Sequence, residues 1–143
     1  IGLLNQPIIA LDVGDKRIGV AVSDPTQTLA TPRSAIPRHR AESQILKLAH
    51  DENASLIIVG MPFLASGHIG TQADKTQQFI ANLTKTTGLN IETVDERLST
   101  IEARKRLHES PGRKNRIKKD KGLLDSASAA VLLQTYLDQI GTR

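Results

Sequence analysis

The run SLIIVG, residues 55–60, sets Leu, Ile, Ile and Val in succession with no polar residue among them. A strand facing water on one side alternates apolar and polar residues. A continuous run bounded by Ser and Gly is instead that of a strand buried on both faces, lying parallel to a neighbour and reached by a crossover. The crossover is at hand. Over residues 41–52, Ile45, Leu46, Leu48 and Ala49 recur near helical spacing with polar residues on the other side. This pair of segments commits the chain to an α/β sheet with helices on both faces.

The rest of the chain extends that sheet. Residues 8–11 and 18–22 are short β-branched runs separated by Gly14, Asp15 and Lys16, which predicts a hairpin. Residues 28–36 are compatible with a third strand, and Pro32 in the middle confines it to an edge. After the buried strand, residues 61–71 read as a loop with Pro62, Gly67 and Gly70, and residues 72–87 as a helix with Ala73, Ile80 and Leu83 on one side and Gly88 to stop it. Residues 90–94 are a last strand. Ser99 and Glu102 form a capping-box pattern opening a helix to about His108. A C-terminal helix is expected over about 124–140, with Ala127, Val131, Leu137 and Ile140 toward the core. Three meandering strands followed by two joined through right-handed crossovers give a five-stranded mixed sheet of order 3-2-1-4-5, the layout of a ribonuclease H-like fold.

At 143 residues without a linker-like stretch, residues 1–143 are expected to form a single domain. With no cysteine, a disulfide framework and a thiolate zinc site are excluded, and a cytoplasmic home is the simpler expectation. The longest nearly apolar run, residues 56–65, contains Gly and Pro and is short of the roughly 18–20 residues a membrane helix needs. Residues 1–6 lack the features of a secretory signal, so export and membrane attachment are not expected. The net charge of +4 resides in one place: residues 113–121, RKNRIKKDK, hold six Lys or Arg and one Asp, leaving 13 cations against 14 acids elsewhere. Such a block is either a solvated loop or a surface that gains by releasing counterions from nucleic acid. Arg113, Lys114, Arg116, Lys118, Lys119 and Lys121 are its candidate phosphate contacts.

Three acids fall at element ends: Asp12 after the first strand, Glu96 after the last, and Asp125 where the final helix begins. Each has a plain alternative, as a turn residue, a surface ion-pair partner and a helix N-cap respectively. Together they are the oxygen-rich set that two divalent ions about 3.5–4 Å apart require for phosphodiester hydrolysis. Adjacent strands lie about 4.8 Å apart, so Glu96 starts roughly 9–10 Å from Asp12 with the Gly60 strand between them. Gly60 and Pro62 put neither bulk nor charge into that gap, and Asp95 is expected on the opposite face. Arg17, Arg97, Ser99 and Thr100 are further candidates for holding substrate phosphate, although Arg17 has Asp15 and Asp24 as alternative partners. His68, in a Gly-flanked loop, is a candidate for proton shuttling or substrate contact with a plain surface histidine as the alternative, and His39, His50 and His108 show no shared-metal spacing. No phosphate-binding P-loop, nucleophile elbow or dinucleotide fingerprint is present.

The segments LDVGDKRIGVAVSD, IIVGMP, DERLST and LLDSASAAVLLQTYL, in this order, resemble the YqgF family, also called RuvX, of bacterial Holliday junction resolvases, now usually described as pre-16S ribosomal RNA nucleases. The resemblance implies a ribonuclease H-like nuclease dependent on Mg2+ or Mn2+, acting in the cytoplasm on the 5′ end of 16S ribosomal RNA. The family's acidic positions fall on Asp12, Glu96 and Asp125 as catalytic and metal-holding residues. The turn after the fourth strand departs from the family pattern: it reads FLASGHIG and lacks the acid usual there. Partners are then pre-ribosomal or other structured RNA, or branched DNA. With only 2% aromatic residues, recognition by backbone and shape is favoured over base stacking. Two other classes stay open, a non-catalytic nucleic-acid-binding module and an actin-like ATPase lobe. The complete acidic set speaks against the first and the chain length against the second. The sequence is compatible with a monomer or a homodimer.

Overall fold

The computed structural model describes residues 6–62, 70–96 and 121–141, residues 121–125 as backbone only. Strands β1 (Ile8–Val13) and β2 (Arg17–Ser23) form the hairpin across Gly14, Asp15 and Lys16, and β3 (Ala30–Pro37) completes an antiparallel meander. A short 3-10 turn, Arg38–Arg40, leads into α1 (Ala41–Glu52), which crosses over to β4 (Leu56–Met61). Helix α2 (Thr71–Thr87) and strand β5 (Ile91–Asp95) repeat the crossover, and α3 (Lys121–Gly141) closes the described chain. The sheet order is β3-β2-β1-β4-β5, with β4 parallel to both β1 and β5. This is the order expected from the sequence.

Alternation along the strands divides the core in two. Ile9, Leu11 and Val13 of β1, with Ile57 and Val59 of β4, meet Ile45 and Ala49 of α1 and Phe79 and Leu83 of α2. Ile8 and Ala10, with Ala21 and Ile58, meet Ala129, Ala130, Leu132, Leu133 and Leu137 of α3. The small side chains on both sides of this second layer let the helix approach the sheet closely. Asp12 and Gly60 follow the same alternation as Ala10 and Ile58, so they lie on the α3 face.

Several boundaries differ from expectation, each for a local reason. β3 begins at Ala30 rather than 28, because the Asp24 carboxylate accepts the backbone N–H groups of Thr28 and Leu29 and folds residues 24–29 into a closed turn. Leu29 consequently stands 62% exposed. α3 starts at Lys121, so Lys121 belongs to the helix rather than the basic loop, and Asp125 is not its N-cap. The buried side of α3 is Ser126, Ala129, Ala130, Leu133 and Leu137, with Val131 also buried, whereas Ala127 and Ile140 are half-buried. In α2 the inward residues include Thr76 and Phe79 beside Ala73 and Leu83, and Ile80 is half-buried. Gly88 does terminate α2 in the left-handed conformation, at φ 70°. The expected helix over 99–108, His68 and most of the basic segment lie outside the described residues.

Tying α3 to the sheet falls to buried polar groups as well as apolar ones. A register shift between Ile18 and Val20 interrupts the β2–β3 ladder, and the backbone N–H of Val20 donates to Ser126 Oγ at 2.9 Å instead. Gln134 accepts from Ala30 N and donates to Thr28 O, both at 2.9 Å. Each such bond contributes about 1 kcal/mol net, and losing one partner costs more because a buried donor or acceptor is stranded.

Candidate active site

Asp12 lies inside β1 rather than after it, one residue before the buried Val13 that ends the strand, and pairs with Gly19 of β2. One step before it, Leu11 pairs with Val59, which puts Gly60 level with Asp12 on the next strand. Gly60 in turn pairs with Val94 of β5. Glu96 therefore starts two strands away from Asp12 and two residues further along, a gap its side chain has to cross over Gly60.

It does cross. The Asp12 and Glu96 side chains are hydrogen-bonded to each other, and the half-buried Glu96 carboxyl is pushed up to about 7, first by desolvation and then by the neighbouring charge of Asp12 and that shared hydrogen bond. Asp95 adds a smaller repulsion. A Cβ placed on Gly60 would stand 3.1 Å from Glu96 Oε2, 3.2 Å from Glu96 Cβ and 3.2 Å from Leu132 Cδ2. Glycine at position 60 thus keeps a channel over β4 through which Glu96 reaches Asp12, and Leu132 of α3 roofs it. Asp95, in register with Met61, falls on the other face by alternation, as expected.

The turn after Asp12 is fixed from three sides. Gly14 N donates to Arg17 O at 3.0 Å, and a Cβ on Gly14 would come within 2.6 Å of that oxygen, so only glycine closes the turn without moving the backbone. Gln72 Nε2 of α2 donates to Val13 O at 3.3 Å, and Arg38 Nη1 donates to Gly14 O at 2.8 Å. A recess of about 230 Å³ lined by Asp12, Gly14, Asp15, Lys16, Arg17 and Gly19 opens beside the carboxyl. Arg17 is therefore at the site. Asp24 lies at the opposite end of β2 from Arg17, whereas Asp15 shares the recess with it and also lies 3.9 Å from Lys75 Nζ.

Asp125 is the fifth residue of α3, four before the buried Ala129 and seven before Leu132. Its neighbour Ser126 is bonded to Val20 N, next to Gly19, the partner of Asp12. The backbone at position 125 is thereby anchored close to the Asp12 register. Arg97, Ser99, Thr100, Arg113, Lys114, Arg116, Lys118 and Lys119 lie outside the described residues, and the side chain of Lys121 does also. Sequence reasoning missed Ser126, Gln72 and Arg38. The S-A-S spacing in α3 gave no hint that one serine would be fully buried, and the two clamps bridge elements far apart in sequence.

Among the described residues no set of three His, Cys, Asp or Glu side chains forms a metal cluster, and the third acid is described as backbone only. The pair that is described fits a divalent cation on its own terms. Two carboxyls pressed together in a half-buried place repel when both ionise, and an all-oxygen donor set of this kind suits Mg2+ or Mn2+. No helix among the described residues is long and apolar enough to cross a membrane.

A model of the family described as RuvX, Holliday junction resolvase, matches residues 6–139. A Roseiflexus protein named "Putative pre-16S rRNA nuclease" is 39% identical over 134 residues, covering 92% of this chain and 93% of its own. A Synechocystis protein of the same name is 40% identical over 133 residues, covering 91% and 86%. Among solved structures, Thermus thermophilus RuvC in complex with a Holliday junction substrate superimposes with a TM-score of 0.55 at 12% identity, covering 96% of this chain and 97% of that one. Likeness at that identity is one of fold, the ribonuclease H-like α/β arrangement.

Proposed function

The chain belongs to the RuvX family of Holliday junction resolvases, and from that premise we propose that it is a divalent-metal-dependent endonuclease whose substrate is the precursor of 16S ribosomal RNA, cut near its 5′ end in the cytoplasm. The observation that carries this reading is the meeting of the Asp12 and Glu96 carboxyls over Gly60. A fold that needed these acids only for solubility would leave them apart and hydrated. Here a glycine gap, a leucine roof and a clamped turn hold them together at the end of a buried strand.

In this proposal Asp12, Glu96 and Asp125 hold the metal, Mg2+ or Mn2+. When bound, the cation activates water at neutral pH and stabilises the departing oxygen. The chain's own residues do the rest. Asp12 is immobilised by the Gly14 turn and its Gln72 and Arg38 clamps, so the site is ready before substrate arrives. Glu96, protonated below about pH 7, gives up that proton as metal binds. To Arg17, which lines the recess beside Asp12, we assign the holding of a non-bridging oxygen of the phosphate being cut. Arg97, Ser99 and the 113–121 cations extend that grip along the backbone.

The relatives' names favour ribosomal RNA and the family's description favours branched DNA. Parallel cleavage of a pre-16S transcript and a four-way DNA junction with Mg2+, using the wild-type chain and Asp12→Asn, decides between them. Preferential cutting of the transcript, lost in the variant, is expected. Equal activity of the two proteins would remove the catalytic role of Asp12.

A further inference from the structure

β2 and β3 run antiparallel, so the chain leaving β3 lands beside the β1–β2 turn: Arg17 pairs with Pro37, and Arg38 N donates to Lys16 O at 2.9 Å. The Arg38 side chain turns inward. Its guanidinium binds Gly14 O and lies over the Phe79 ring, 5.1 Å from the centroid. Arg38 thus works as a pin joining this turn to α2. The cations on either side of it are left on the surface, with Lys16, His39 and Arg40 exposed and Arg17 half-buried next to Asp12. The one acid within the β1–β2 turn, Asp15, is turned toward Lys75.

The opposite end of the sheet has the reverse character. There Asp24, Asp51 and Glu52 line a groove of about 420 Å³, and its arginine, Arg33, is bound to Glu52 at 2.9 Å. Positive charge is therefore not spread over the β2–β3 surface. It is gathered at the end where the acids meet, on the two strands beyond Asp12 that Glu96 does not use.

We propose that Lys16, Arg17 and Arg40, which flank Arg38 where the chain leaving β3 meets the β1–β2 turn, form a phosphate-binding rim for the backbone of structured RNA flanking the cut. This inference rests on the nuclease reading above and extends its site to residues outside the basic segment. β2 and β3 lie about 4.8 and 9.6 Å from β1. Of the aromatics among the described residues, Phe79 is buried and Tyr136 half-buried, so the rim offers charge, which grips backbone rather than bases.

The test is a fluorescence-anisotropy titration of a labelled pre-16S leader transcript in EDTA, across about 50–200 mM KCl. It compares the full chain, Lys16→Ala/Arg40→Ala, and Lys85→Ala as a control of like charge at the far end of α2. Both rim residues are exposed, and thermal melts establish that the double variant remains folded. The double variant is expected to bind at least about tenfold more weakly and to lower the salt slope by about 1.8, from roughly 0.9 per lost phosphate contact. Lys85→Ala is expected to keep the wild-type slope. A double variant with the wild-type slope, or a loss seen on a four-way DNA junction and absent on the transcript, overturns the rim. Wild-type cleavage of the same transcript with Mg2+ is scored separately. Binding with the expected slope change but no cleavage would defeat the nuclease reading and leave the rim standing.

Discussion

Asp24 and Glu96 each follow the last residue of a strand, at opposite ends of the same sheet. Asp24 accepts the backbone N–H groups of Leu29 and Thr28, both at 2.8 Å, and the hydroxyl of Thr26, and its carboxyl is lowered to about 2. Glu96 is set against the Asp12 carboxyl in a half-buried place and is raised to about 7. One acid is surrounded by donors that favour its charge and closes a turn. The other is placed where its charge is costly, so it holds its proton up to about pH 7. The same carboxyl chemistry gives a turn-closing carboxylate at one end of the sheet and, on the reading proposed above, a metal-holding one at the other, and the environment makes the difference.

The contrast can be broken most severely at Asp12. Asp12→Asn or Glu96→Gln is expected to reduce the single-turnover cleavage rate by roughly 10³-fold or more while leaving the fold intact, because a neutral amide holds a divalent cation far more weakly than a carboxylate does. A loss below tenfold in both variants would show that the pair is as structural as Asp24.

Ser126 tests whether the helix carrying Asp125 is anchored as described. Ser126→Ala strands the buried Val20 N–H and is expected to cost about 1–3 kcal/mol in urea unfolding. Gly60→Ala sharpens the comparison, since its Cβ meets Glu96 at 3.1 Å and the leucine roof at 3.2 Å. Displacement of Glu96 by a few tenths of an ångström is expected to lower activity about tenfold. Unchanged activity would mean that the gap over β4 is incidental.

The two acids also carry opposite pH signatures. Glu96 binds its proton more tightly folded than unfolded, so the metal-free chain loses stability as pH rises from about 4.5 to about 7, by on the order of 1–2 kcal/mol once solvent screening is allowed for. Mg2+ is expected to cancel that loss. Asp24 does the reverse: its stabilisation is present above about pH 4 and lost as pH falls toward 2. Asp24→Asn should therefore cost only about 0.5–1 kcal/mol at pH 7, less at pH 2 where the carboxyl is about half protonated, and no activity. Urea melts of both chains across pH 2–8 check the signs.

What the sequence discloses about this molecule follows how local the signal is. SLIIVG announces a strand buried on both faces because periodicity is a property of neighbouring residues, and α1 follows from its own spacing. Asp12 and Glu96 stand out as acids at the ends of apolar strands for the same reason. That they could converge across an open gap at Gly60 was legible, but whether Glu96 spans the roughly 9–10 Å was not, because that depends on the register of three strands. The start of α3 at Lys121 was hidden by Gly122 and by the basic residues just before it, which read as a loop until packing on the sheet overrides them. Ser126 looks like one more small polar residue until the break in the β2 ladder supplies it with a donor.

The central claim is that Asp12 and Glu96 together make a divalent-cation site. Isothermal titration of Mn2+ into the metal-free chain at pH 6 and pH 8, in two buffers of different ionisation enthalpy, measures affinity and proton release at once. Binding should tighten with pH, release close to one proton at pH 6 and almost none at pH 8, and be lost in Asp12→Asn. Binding with the same affinity at both pH values, or retained in that variant, would contradict it.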